Sequence, residues 1–135
     1  MAELTIEART ENLDEVLSFV NSQLELWDCS PRAQMQLEIA VEEVFVNIAH
    51  YAYQPGVGSA TVCVEFEQDP MTAVITFIDR GIPYDPLAKD DPDVTLSAED
   101  RQIGGLGIYM VKKSMDGMAY EYKDGQNILT LKKRL

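Results

Sequence analysis

Two cysteines, one histidine, one tryptophan and eleven lysines and arginines in 135 residues exclude several classes of protein at once. Cys29 and Cys63 lie far apart and form neither a CxxC pair nor a Cys/His cluster. A disulfide framework and a thiolate metal site are therefore out, and two free thiols in a reducing, cytoplasmic setting are expected. A single histidine, His50, leaves zinc chemistry and Ser-His-Asp catalysis without their parts. The basic residues are outnumbered by 23 Asp and Glu, for a net charge of −12. That leaves no basic patch to displace counterions from a nucleic acid and disfavours an anionic membrane. No apolar run approaches the roughly 18 residues of a membrane span. The opening Met1-Ala2-Glu3-Leu4-Thr5 lacks a basic and an apolar region, so no signal peptide is expected.

What is present suits one compact domain over residues 1–135: 46% of the residues are hydrophobic, enough for a core. Leu4 to Ala8 alternates apolar and polar and predicts a strand. Thr10 or Asn12 can cap a helix whose apolar residues Leu13, Val16, Leu17, Val20, Leu24 and Trp27 recur at helical spacing. Ser30-Pro31 starts a second helix, to about Tyr51, with Leu37, Val41, Val44 and Ile48 as its core face. Ala60–Glu67 and Ala73–Ile78 read as a hairpin around Gln68-Asp69-Pro70. Residues 84–102 show no sustained period, and a loop this long in a compact domain is usually functional. A third helix opens at Gly104-Gly105-Leu106-Gly107 and stops at Asp116-Gly117. Strands Met118–Tyr122 and Asn127–Lys133 flank the turn Lys123-Asp124-Gly125. This order predicts an α/β (α+β) two-layer sandwich, a mixed, mostly antiparallel sheet with helices on one face.

Three stretches could carry chemistry, and each has an ordinary reading beside the functional one. On the second helix Glu43, Asn47 and His50 share a stripe turned from the apolar one, at about 100° per residue. A carboxylate one turn before a carboxamide can serve as a base beside a ligand for Mg²⁺, or form part of a solvated helix face. Asp79-Arg80-Gly81-Ile82-Pro83 follows an apolar strand. Its carboxylate can accept a hydrogen bond from an exocyclic amine while Gly81 lets a flat ligand approach, or the segment is simply a turn. Gly104-Gly105-Leu106-Gly107 directs backbone N–H groups and a positive dipole end at an anion, or permits close packing. It is not a Walker A loop, because no Gly-Lys-Ser/Thr follows, nor a dinucleotide fingerprint, because no strand runs straight into it.

Taken in order, Glu43-x-x-x-Asn47, Asp79-x-Gly81-x-Pro83 and Gly104-Gly105-Leu106-Gly107-Ile108 form a three-box pattern. The pattern resembles the GHKL, or histidine-kinase-like, ATPase superfamily, and within it the bacterial anti-sigma factor serine/threonine protein kinases. Asn47-Ile-Ala-His-Tyr-Ala-Tyr53, Gly81-Ile-Pro-Tyr-Asp-Pro86 and Gly107-Ile-Tyr-Met-Val111 carry the likeness across nearly the whole chain. The resemblance implies the Bergerat ATP-binding fold with ATP and Mg²⁺ as cofactors. Glu43 resembles the catalytic base and Asn47 the Mg²⁺ ligand. Asp79 resembles the adenine-binding aspartate, with Gly81 and Pro83 beside it. Gly104, Gly105, Leu106 and Gly107 fall where the family cradles phosphates. Thr130 resembles the hydroxyl residue that reaches adenine through water, residues 84–103 fall where the ATP lid lies, and Arg101 is placed to neutralise phosphate. Two departures stand out: Tyr51 occupies the place of a histidine common in the family, and the lid is acidic, with Asp90, Asp91, Asp93, Glu99 and Asp100.

The resemblance implies a serine/threonine kinase that phosphorylates a small anti-sigma antagonist protein. It would hold that antagonist or a sigma factor alternately, regulate transcription and form a homodimer, without direct nucleic-acid contact. The alternative is a partner-switching ATP-binding module with little or no kinase activity. The ATPase domain of a two-component histidine kinase is a poorer match, since no helix hairpin carries a phosphoacceptor histidine.

Overall fold

A computed structural model describes residues 1–53, 56–87 and 105–135, with the backbone alone at Gly105 and Leu106. The strands are β1 (Ala2–Glu7), β2 (Ser59–Glu67), β3 (Thr72–Asp79), β4 (Gly117–Lys123) and β5 (Gln126–Arg134). They form one sheet in the order β1-β2-β3-β5-β4. Every pairing is antiparallel, so the parallel component of the expected mixed sheet is not present among the described residues. Two hairpins, β2–β3 and β4–β5, account for most of this, and β2 returns antiparallel to β1 after the chain passes through two helices.

Strict alternation builds the inner face. Val62 pairs with Phe77 and Val64 with Ile75, while Ile75 pairs with Leu131 and Phe77 with Leu129. All six are buried in one core with the helices. Asp79 shares the parity of Ile75 and Phe77, which points its carboxylate to the helix side at the sheet's end. At the β4–β5 turn, Asp124 and Gly125 both have positive φ, 55° and 76°, the backbone twist that a two-residue hairpin requires.

The helices α1 (Leu13–Glu25), α2 (Pro31–Asn47) and α3 (Gly105–Ser114) cover that inner face. Ser30 caps α2, its Oγ accepting from the Ala33 N–H at 3.2 Å, and Pro31 takes the first helical position. The start of α1 differs from expectation. Thr10–Asn12 is a 3₁₀ turn without a side-chain cap, because the Asn12 amide donates instead to the Glu7 carbonyl at 2.9 Å. The helix also stops at Glu25, and Trp27 beyond it stacks on Phe66 with ring centroids 4.8 Å apart. Val16, Val20 and Leu24 of α1 meet Leu37, Val41 and Phe45 of α2, all fully buried. Each such side chain contributes about 1.5–3 kcal/mol, and Phe45→Ala would cost about 3–5 kcal/mol.

α2 ends at Asn47 and the chain continues through one π-helical turn, Ile48–Ala52. Tyr53 then fastens this turn to the sheet. Its hydroxyl donates to the Ser59 carbonyl at 2.6 Å and accepts from the Arg80 N–H at 2.7 Å. Its ring fills the space that a side chain at Gly58 would need. The end of α2 is thereby held beside the end of β3, where Asp79 lies.

Candidate functional site

The last turn of α2, the π turn, the end of β3 and the start of β5 surround a cleft of about 760 Å³, mouth included. Its walls are mostly apolar, with Val44, Ile48, Phe77, Ile108 and Leu129 among them. Asn47, Asp79, Tyr120 and Asn127 supply its polar groups. A concave apolar pocket with a few convergent polar atoms is the usual form of a small-molecule site.

Asp79 is only 6% exposed. Its Oδ1 accepts from the Gly81 N–H at 2.9 Å and the Asn127 amide at 3.0 Å, while Oδ2 has no hydrogen-bond partner among the described residues. A buried carboxylate with one edge satisfied and one free can receive a ligand's N–H donor. Asn127, also 6% exposed, reaches further. Its Nδ2 donates to the Ile82 carbonyl at 3.0 Å, and its Oδ1 accepts from the Tyr84 N–H at 3.1 Å and from the Tyr120 hydroxyl.

On α2, Glu43 and Asn47 are half-buried neighbours one helical turn apart. Burial pushes the Glu43 pKa up, the adjacent Glu42 charge adds to the rise, and the nearby Asn47 carboxamide opposes it. The Asn47 carboxamide, one turn on from Glu43, has a neutral carbonyl oxygen of the kind a hard cation takes. The described residues hold no group of three or more His, Cys, Asp and Glu fit for a metal. One carboxamide oxygen suits Mg²⁺, which takes most of its ligands from water and phosphate.

The predicted residues fall into groups. Asn47, Asp79 and Pro83 line the cleft. Gly81 lies behind it, where a side chain would overlap the Ala52 carbonyl oxygen and come within 2.6 Å of its carbon. The approach that demands glycine here is that of the chain itself, fastened by the Ile82 N–H to the Ala52 carbonyl at 2.8 Å. Gly107 lies against the Glu43 carboxylate. Gly105 opens α3 and Leu106 follows. Gly104, Arg101 and residues 88–103 of the expected lid lie outside the described residues.

Thr130 is not brought to the cleft. It alternates with Leu129 and Leu131 of the inner face and pairs with Thr76 and Ala119, so it faces away from the helices. Asn127 holds the polar position on this strand instead. Parity could have found it, since Asn127, Leu129 and Leu131 fall on one face. His50 is exposed, whereas Tyr51 lines the cleft. The π turn, with its wider winding, breaks the α-helical stripe that joined His50 to Glu43 and Asn47.

This arrangement is that of an ATPase domain: residues 6–133 match the histidine kinase-like ATPase domain, and the chain belongs to that family. Among characterised relatives, it is 30% identical over 102 residues to the serine/threonine-protein kinase BtrW of Bordetella bronchiseptica, covering 76% of this chain and 71% of that one. It is 27% identical over 100 residues to the serine-protein kinase RsbW of Listeria monocytogenes, covering 71% of this chain and 63% of that one. No helix among the described residues is long and apolar enough to cross a membrane.

Proposed function

We propose that this chain binds ATP in the cleft and transfers its γ-phosphoryl group to a serine or threonine of a small antagonist protein, in the manner of the anti-sigma kinases. The observation that carries the reading is the convergence of Asp79, Asn47 and Glu43 on one cleft and its border. Asp79 Oδ2 receives the base amine while the apolar walls take the ring faces. The N-terminal turn of α3, from Gly105 to Gly107, offers its amides to the phosphates. Glu43 takes the proton of the attacking hydroxyl, and its raised pKa makes it a stronger base than an ordinary carboxylate. Asn47 would hold Mg²⁺, which supplies charge neutralisation when bound, a need sharpened by the net charge of −12. Phosphoryl transfer depends mainly on such positioning and electrostatics.

On this reading the protein is a cytoplasmic, homodimeric regulator of transcription. It holds the antagonist or a sigma factor alternately, with the nucleotide biasing the choice. The second reading is a nucleotide-binding module that switches partners and transfers little phosphate. It is favoured by the acidic composition of residues 84–103, where Asp90, Asp91, Asp93, Glu99 and Asp100 accompany only Lys89 and Arg101.

The test incubates the protein with Mg-ATP and the antagonist encoded nearest its gene, and follows added phosphate by mass spectrometry. Transfer that is lost in Glu43→Gln, together with weakened Mg-ATP binding in Asn47→Ala, supports the kinase. Tight ATP binding without transfer selects the module, and an absence of ATP binding sinks both.

A further inference from the structure

Asn127 uses its entire hydrogen-bonding capacity on the chain. A carboxamide has two N–H donors and two acceptor lone pairs. Here the donors go to Asp79 Oδ1 at 3.0 Å and the Ile82 carbonyl at 3.0 Å, with the Gly81 carbonyl at 3.4 Å beside them. The acceptor pairs go to the Tyr84 N–H and the Tyr120 hydroxyl. The carboxylate and carbonyls on one side and the donors on the other settle which end is oxygen and which is nitrogen. Although it lines the cleft, Asn127 has nothing left to offer a ligand. Its polar atoms are spent on fixing Asp79 from β3 against the segment 81–84.

That fixing has a chemical consequence. The Asn127 amide and the Gly81 N–H both hold Asp79 Oδ1, so the carboxylate cannot rotate and only Oδ2 is presented. An ionised carboxylate oxygen only accepts. It rewards a ligand that brings an N–H donor and opposes one that brings a carbonyl oxygen to the same place. We propose that Asn127 is a specificity-determining positioning residue: it locks Asp79 in one orientation and so makes the cleft choose a base with an exocyclic amine over one with a carbonyl there. The proposal rests on the reading of the cleft as an ATP site and adds the residue that enforces the choice of base. An aspartate at 127 cannot take over the role, since it would set a second carboxylate against Asp79 and two carbonyl oxygens. A leucine of similar size removes the lock without adding charge.

ATP and ITP differ on one edge of the purine ring, where ATP has an amine at C6 and a bare N1 and ITP has a carbonyl at C6 and an N–H at N1. Calorimetry with each nucleotide and Mg²⁺ on the full chain gives a Kd ratio for the wild type and Asn127→Leu, with thermal melts to confirm folding. One hydrogen bond to a charged acceptor corresponds to a preference of about 10–100-fold for ATP in the wild type. In Asn127→Leu the ratio is expected to fall to within about threefold, because Asp79 loses the Asn127 bond to Oδ1 and is free to turn Oδ2 away from the base. A residue that merely supports the fold would weaken both nucleotides alike. An unchanged ratio in folded Asn127→Leu therefore overturns the proposal while leaving the ATP site intact. Should Asn127→Leu not fold, Asn127→Ser gives the same readout. A wild type that binds neither nucleotide overturns the ATP reading and this proposal together.

Discussion

The Glu43 carboxylate lies against Gly107, where a side chain on α3 would overlap it and come within 2.7 Å of its Oε2. The contact joins the helix that carries Glu43 and Asn47 to the turn that opens α3. Only glycine leaves the carboxylate its place at that helix start.

Gly107→Ala follows directly. The group that must yield is the end of a flexible side chain, so the fold is expected to survive. Alanine also gains up to about 1 kcal/mol of helix propensity over glycine. The carboxylate, however, is pushed aside, and a base misplaced by about 1 Å can cost about 10²-fold in rate. The expected outcome is a melting temperature within a few degrees of wild type and phosphate transfer lowered by about 10²-fold. Thermal melts beside single-turnover transfer check it; unaltered transfer would mean that Glu43 does not act from this position.

Glu43→Gln separates function from stability. The Glu43 pKa is raised above its ordinary 4.5, chiefly by burial. Between 4.5 and the raised value the folded chain binds more protons than the unfolded one, so stability falls as pH rises through that window. At pH 7 the ionised carboxylate is therefore a cost that glutamine removes. The variant is expected to melt above wild type at pH 7, with the gap closing toward pH 4.5. Transfer should fall by about 10²–10⁴-fold. Melts at the two pH values decide the first part; a variant less stable than wild type at pH 7 would show that ionised Glu43 is net stabilising.

Gly81→Ala is the opposite case to Gly107→Ala. The atoms in the way are the Ala52 carbonyl carbon and oxygen, which are backbone and are held by the Ile82 N–H at 2.8 Å. Neither can swing aside. Such overpacking costs about 1–3 kcal/mol, roughly 3–10 °C in melting temperature for a chain of this size. ATP binding should weaken as well, because Asp79 Oδ1 is held by the Gly81 N–H. A melt unchanged within error would contradict the packing described.

Much of this was legible in the residues. The hairpin of β2 and β3 was read at Ala60–Glu67 and Ala73–Ile78, within a residue of its observed bounds, and Ser30-Pro31 marked the start of α2 by local chemistry alone. Asp124-Gly125 marked its hairpin in the same way. What escaped depends on contacts distant in sequence. The π turn winds Ile48–Ala52 by a single hydrogen-bond step more than an α-helix, and nothing in its composition announces that. The demand for glycine at position 81 comes from Ala52, 29 positions away, as the residue numbers show. Asn12 spends its amide on Glu7 instead of capping α1. Asn127 was within reach, since it shares parity with Leu129 and Leu131, but a lone carboxamide on a strand gives no hint that Asp79, Ile82 and Tyr84 will gather on it.

Thr130→Val tests that last assignment from the other side of the sheet. Thr130 lies across from Thr76 on β3 and Ala119 on β4, on the face turned away from the helices. Valine keeps its shape and β-branching and removes only the hydroxyl, and a partly exposed strand position tolerates that within about 1 kcal/mol. A hydroxyl that reached the base through water would leave a measurable gap when deleted, about 10-fold in affinity for one lost hydrogen bond. The facing observed here predicts an ATP Kd within about twofold of wild type, the scatter of a substitution remote from the ligand. Titration by calorimetry distinguishes the two values. A tenfold loss would return Thr130 to the cleft and require β5 to be shifted by one residue, which would turn Asn127 and Leu129 away from the core in which both are buried.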